Sequence, residues 1–191
     1  MKRDTVLSTV RRIIRSVAMA CGLCVAGALG WAGLLQLTDN FHVVREGQLY
    51  RSAQMSGDHL KETIERYHIR TVINLRGEHV SDPWYDKEIE ATRVAGAIHA
   101  DLALSARREL TEDERQRLLV LLRDAPRPIL IHCRSGADRT GLAAALDQYL
   151  VAKVRASDAA RQLSFRYGHF PYFNRTAAMD RVFEREVASG D

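Results

Sequence analysis

Residues 128–141 read PILIHCRSGADRTG, and this stretch restricts the fold more tightly than any other in the chain. Ile129, Leu130 and Ile131 form a short apolar run behind a proline, the pattern of a buried strand. Small residues follow at Ser135, Gly136 and Ala137, and residues 141–151 then read as a helix. A strand, a tight loop and a helix in that order place Cys133 at the end of the strand, facing the first turn of the helix. Unpaired backbone N–H groups and the positive end of the helix dipole favour an anion there. A free thiol with a pKa near 8.5 is mostly protonated at neutral pH, and that setting promotes the reactive thiolate. The residues from Arg134 to Asp138 let loop amides converge on one centre, a concave nest suited to phosphate. Arg139 brings a planar guanidinium that can grip two oxygens at once. Thr140 offers a hydroxyl to the sulfur, and His132 is read as ordering the loop. The competing reading, a buried inert thiol, gives no reason for Arg139, Thr140 and the glycines to gather around it.

The rest of the chain alternates strands and helices. Residues 47–52 read as a short extended segment. Ser56 or Asp58 caps a helix bearing Leu60, Ile64 and Tyr67 at i, i+4 and i+7. Residues 71–75 (TVINL) are a β-branched run, hence a buried strand. Asp82 and Pro83 open a second helix. Ile98, Ala100, Leu102 and Leu104 alternate with His99, Asp101 and Ala103, the period of a strand. Thr111 and Glu114 make a capping box ahead of Leu118, Leu119, Leu121 and Leu122. Ser157 is expected to cap a helix that Gly168 ends, and residues 174–187 make a last amphipathic one. Strands alternating with helices argue for an α/β domain with a central, mostly parallel sheet flanked by helices.

The first fifteen residues hold five Lys or Arg against one Asp, a surplus of four that equals the formal net charge of the whole chain. The remainder is therefore neutral, and nothing points to nucleic acid. Residues 16–38 carry no charge. The run is long enough to span a membrane, which takes ~20 apolar residues. Basic residues before it would keep the N-terminus cytoplasmic and send the domain across. A cleaved secretory signal is the alternative, with Ala26, Gly27 and Ala28 as a cleavage region; a buried core helix is the third. The organisation expected is a basic cytoplasmic leader at 1–15, an anchor or signal at 16–38, and an exported catalytic domain at 40–191. With Cys21 and Cys24 in the apolar run, Cys133 is the one thiol of that domain, which rules out an internal disulfide. Scattered histidines without helical ligand spacing give no metal motif.

The segment HCRSGADRTG resembles the signature of the cysteine-dependent protein tyrosine and dual-specificity phosphatases. LYRSAQ at 49–54, TVINLRGE at 71–78 and SFRYGHFPYF at 164–173 are similar to small bacterial members of the atypical dual-specificity group. The resemblance spans about residues 41–183 and implies the phosphatase fold behind the N-terminal hydrophobic helix. It also implies a two-step route through a phosphocysteine, with Cys133 attacking phosphorus and Arg139 and the loop amides holding the oxygens. No metal and no cofactor are implied. The implied substrates are phosphorylated proteins, through phosphotyrosine and also phosphoserine or phosphothreonine, or another phosphomonoester.

The chain departs from that family at the general acid. The loop that usually carries an aspartate reads Ser105, Ala106, Arg107, Arg108, Glu109. Glu109 is the nearest carboxylate there, and Asp101, within a strand, is the second candidate. Asp138 inside the loop is expected to turn away and pair with an arginine, Arg51 being the candidate. Arg134 is placed to meet a second anionic group. Ala137 stands where lipid-directed relatives carry lysine, against a highly phosphorylated inositide. Tyr167, Phe170, Tyr172 and Phe173 are read as core under the site, with a pocket-lining role as the alternative. Phosphatase action on a small molecule or lipid head group, and a weakly active phosphate-binding module, are the rival functions.

Overall fold

One β-branched run, Thr71–Asn74, and a proline-bounded apolar triplet, residues 129–131, supply the centre of a five-stranded sheet. In this computed structural model, residues 2–190 are described, with side chains for 14–172 and 175–190. The expectations for Phe173 and for the basic side chains before residue 14 lie outside the described residues. The chain divides into two units, Met1–Leu37 and Thr38–Asp191.

The first unit is one helix, α1 (Lys2–Leu37). Ile14–Leu37 is apolar enough and long enough to cross a membrane, and none of its most apolar window is buried. A core helix would be buried, so that third reading does not hold. The test of length and composition passes a membrane span and a signal segment alike.

In the second unit the strands are β1 (His42–Arg45), β2 (Leu49–Ser52), β3 (Thr71–Asn74), β4 (Ile98–Asp101) and β5 (Ile129–His132), in spatial order β1-β2-β5-β3-β4. Only β1 runs antiparallel, to β2. Register aligns Ser52, His132, Asn74 and Asp101 in one row at the C-terminal edge of the four parallel strands. Parallel sheets present ligand sites at that edge.

Helices cover both faces, and strand alternation sorts the core between them. Tyr50, Val72 and Leu130 face α2 (Gly57–Tyr67) and α3 (Pro83–Val94), joined by Leu60, Ile64 and Ala91. Leu49, Ile73, Ile129 and Ile131 face the other way. There they meet Leu118 and Leu122 of α4 (Glu112–Asp124) and Leu142 and Leu146 of α5 (Asp138–Leu146). The Ser56 cap and the Thr111–Glu114 capping box form as read. Edge position explains β4: Ile98 is 52% exposed, while Leu102 and Leu104 beyond the strand are buried.

The expected helix from Ser157 to Gly168 does not form. Only α6 (Ala156–Ala159) is helical, without a side-chain cap, and 3-10 turns follow at Ala160–Gln162 and Phe165–Tyr167. The chain breaks at Leu163 (φ −96°, ψ 77°), leaving the Gln162 carbonyl to accept from the Arg51 guanidinium at 2.8 Å. The last expected helix forms as α8 (Ala177–Gly190), three residues later than read, and a short α7 (Pro171–Asn174) precedes it, with Arg175 between them at φ 58°. The aromatic segment is not uniformly core. Tyr167 is buried, but Phe170 is 39% and Tyr172 94% exposed, because the short turns here have no second layer to cover them.

Candidate active site

Cys133 follows β5 directly and is buried, so the strand fixes its backbone while α5, starting five residues later, presents its first turn. The loop between them is held from outside by its carbonyls. Asn40 Nδ2 donates to the Ser135 carbonyl at 2.9 Å. Arg51 Nη2 donates to the carbonyls of Gly136 and Ala137 at 2.8 and 3.3 Å. Gly136 has φ 68°, and a Cβ there would lie 2.6 Å from the backbone of Ser52 and Ala53. Only glycine lets the loop press against the end of β2 in this conformation. With successive carbonyls tied outward, the intervening amides are free to converge on an oxyanion.

Arg51 is the expected partner of Asp138, and it does not pair with it. It is 0% exposed, stacks 3.8 Å from the Tyr167 ring centre, and donates from Nη1 to the carbonyl and side-chain oxygens of Gln162. Burial pulls its guanidinium down to about 10, while Tyr167 and then Cys133 favour the charged form. Asp138 turns away from the loop, as expected, but toward His169, whose Nδ1 lies 2.7 Å away. His169 Nε2 meets Asp180 of α8 at 3.0 Å. Burial lowers the His169 pKa, but the two carboxylates outweigh it and the net shift is upward.

Arg139, on the first turn of α5, has Nη1 fixed by the Leu75 and Leu104 carbonyls at 3.0 and 3.2 Å. Its buried Nε has no partner, and the same holds for Thr140 Oγ1, Ser52 Oγ and His132 Nδ1. Buried polar groups left without partners are costly and rare. With Arg51 Nε there are five in and beside this one loop among the described residues.

Behind the loop lies a carboxylate that sequence reasoning missed. Glu88 of α3 is 1% exposed and takes His132 Nε2 at 3.1 Å and His99 Nε2 at 2.8 Å, with Gln54 as a third donor. Burial pushes its carboxyl up, but the hydrogen bonds from His132, His99 and Gln54 hold it well below the usual carboxylate range. His132 is thus anchored from below, which fits its reading as a loop-ordering residue.

The two acid candidates sit in unlike places. Glu109 is clamped by Arg181 at 2.7 Å and by Arg185, and these partners keep its carboxyl below the ordinary range. Asp101 stands in the row of strand ends with His132. Asn74 Nδ2 and the Tyr85 hydroxyl donate to it at 2.8 and 2.5 Å. Burial and then Asp101 raise the Tyr85 pKa, so that phenol keeps its proton.

A family model described as the tyrosine phosphatase family matches residues 32–161. The crystal structure of TpbA from P. aeruginosa is similar with a TM-score of 0.57 at 22% identity, over 81% of this chain and 92% of that one. A cysteine-to-serine form of TpbA in complex with phosphotyrosine is similar at 0.56 and 21%, over 78% and 91%. The core catalytic domain of the PP-IP phosphatase SIW14 from S. cerevisiae, in complex with citrate, is similar at 0.53 and 19%, over 78% and 89%. At such identities these structures speak for the fold.

Proposed function

This chain belongs to the tyrosine phosphatase family and is a cysteine-based hydrolase of phosphate monoesters; from that premise we propose that it dephosphorylates phosphotyrosine in proteins through a phosphocysteine on Cys133. The Cys133 thiolate attacks phosphorus, an S–P bond forms and the ester P–O bond breaks. The loop amides from Arg134 to Arg139 and the Arg139 guanidinium hold the three equatorial oxygens as charge builds on them. The leaving oxygen takes a proton from a carboxylic acid. Water then attacks phosphorus and gives a proton to that carboxylate, the S–P bond breaks, and inorganic phosphate leaves as the thiolate is regenerated. Thr140, buried beside the sulfur's loop with an unpartnered hydroxyl, is placed to stabilise the departing thiolate.

The observation that carries this reading is the outward tying of the Ser135, Gly136 and Ala137 carbonyls by Asn40 and Arg51, which leaves the loop amides free to receive an oxyanion. We assign the acid to Asp101. Asp101 ends β4 in the row of strand ends that holds His132, whereas Glu109 is engaged by Arg181 and Arg185 of α8. The phosphotyrosine complex of TpbA supports the substrate class by analogy. Residues 1–15 are proposed as a cytoplasmic leader and residues 16–38 as a membrane anchor or signal, with the domain at 40–191 exported.

The test is metal-free hydrolysis of a phosphotyrosine peptide by the full chain in detergent. Cys133→Ser is expected to abolish turnover while retaining phosphotyrosine binding. Unchanged turnover in that variant overturns the assignment.

A further inference from the structure

Among the described residues of the second unit, every exposed aromatic lies in one short segment: Phe165 is 71% exposed, and Phe170 and Tyr172 follow it in the same turn. Apolar side chains scattered singly over a surface are ordinary, but a group of aromatic rings is a patch that marks an interaction.

Arginine accompanies the rings. Residues 161–175 contain Arg161, Arg166 and Arg175 and no Asp or Glu, and all three arginines are exposed. Arg161 shares the Asp158 carboxylate with Arg155. The nearby carboxylates of Asp138 and Asp180 are engaged by His169. The chain beyond residue 15 is neutral overall, so the positive surplus here is local.

The same segment is tied to the start of the domain. Asn40 Nδ2 donates to the Tyr167 carbonyl at 2.9 Å, and the His42 ring meets the Tyr167 ring edge-on at 4.8 Å between centres. The Phe41 N–H donates to the Thr38 carbonyl at 3.0 Å and the Ala53 N–H to that of Asp39 at 2.6 Å, so the chain is fixed from Thr38 onward. The apolar helix ends at Leu37, and the three residues from there to Asn40 reach at most ~11 Å. A helix that crosses a bilayer and ends at Leu37 therefore delivers Asn40, and the turn hydrogen-bonded to it, to the membrane surface. Aromatic rings settle at the headgroup level there, and guanidinium groups meet lipid phosphates.

We propose that the turn at 164–175 seats on the surface of an anionic phospholipid bilayer through Phe165, Arg166, Tyr172 and Arg175. This rests on the reading of residues 16–38 as a membrane anchor and goes beyond the phosphatase reaction. Tyr167 of the same turn stacks on Arg51, which ties the phosphate loop, so the lipid contact bears on the framework of the active site.

The experiment places the full chain in lipid nanodiscs and reads tryptophan quenching by acyl chains brominated near the carbonyl. Tyr172→Trp is made together with Trp31→Phe, so that the new emission is read against Trp84 alone. In discs with about one-third anionic lipid the added tryptophan is expected to lose about half its emission, as suits a ring ~5–10 Å into the interface, and to lose less in zwitterionic discs. Adding Phe165→Ser and Arg166→Gln is expected to restore most of it. Unquenched emission at position 172, with Trp31 of the wild-type chain quenched, overturns the membrane seat. A blue shift at position 172 without quenching also overturns it, because protein instead of lipid would then cover the ring. If Trp31 of the wild-type chain itself escapes quenching, the anchor reading fails and the membrane seat fails with it.

Discussion

The Asn40 side-chain amide donates to two carbonyls at once, Ser135 in the phosphate loop and Tyr167 in the 3-10 turn, each at 2.9 Å. Asn40 is buried, has φ 46°, and comes three residues after the end of α1. The segment that follows the apolar helix is thus part of the catalytic framework, and a cleavage that leaves an active domain must leave Asn40 in place.

Asn40→Asp isolates that role. Asp tolerates the left-handed backbone as Asn does, so the fold of the segment is kept. The substitution replaces the amide donor with an oxygen that faces two carbonyls. Leaving buried acceptors unsatisfied costs ~1–3 kcal/mol. If half of that reaches the loop, kcat/KM for an aryl phosphate falls about two- to tenfold. Competitive inhibition by inorganic phosphate should weaken in parallel, because the lost contact shapes the oxyanion nest. Unaltered phosphate affinity in a folded variant would show that Asn40 does not hold the loop.

The general acid is tested by leaving-group dependence. A poor leaving group needs the proton and a good one does not, so loss of the acid should slow an alkyl phosphate by ~10²–10⁴-fold and a nitrophenyl phosphate far less. Asp101→Asn is expected to give that split. Glu109→Gln is expected to slow both substrates equally or not at all, since its visible work is to receive Arg181 and Arg185 from α8. The reverse pattern would move the acid to Glu109.

What the sequence disclosed was local. The β3 and β5 strands, the Thr111–Glu114 box and the strand–loop–helix around Cys133 are written in neighbouring residues, where periodicity and capping chemistry act. The framework that holds the loop is written across long separations. Asn40 and Ser135 lie 95 residues apart, Arg51 and Gly136 85, and Glu88 and His132 44. A lone arginine or glutamate within a helix or strand carries no pattern that announces burial, because charged residues are usually solvated. Arg51 was therefore assigned the wrong partner, and Glu88 was passed over. The aromatic run at 165–172 misled in the opposite sense: aromatic content suggests core, but Phe170 and Tyr172, at the start of the four-residue α7, face out.

His169 should make stability depend on pH. It is 2% exposed and faces Asp138, on the first turn of α5, and Asp180, on α8. Burial opposes its charge, but the two carboxylates prevail and its pKa rises in the folded state. A group whose folded pKa is raised binds its proton more tightly when folded. Its contribution is therefore complete below the ordinary histidine value near 6.5 and fades as pH climbs through the raised value. His169→Gln removes this linkage while keeping a polar side chain. The stability gap between wild type and variant, read by denaturant melts, is expected to reach ~1–3 kcal/mol between pH 5 and 6, the range for hydrogen bonds to charged groups. It should narrow steadily toward pH 9. A gap of constant size from pH 5 to 9 would mean that His169 is neutral between its carboxylates and that the tie between the phosphate-loop helix and α8 is not an ion pair.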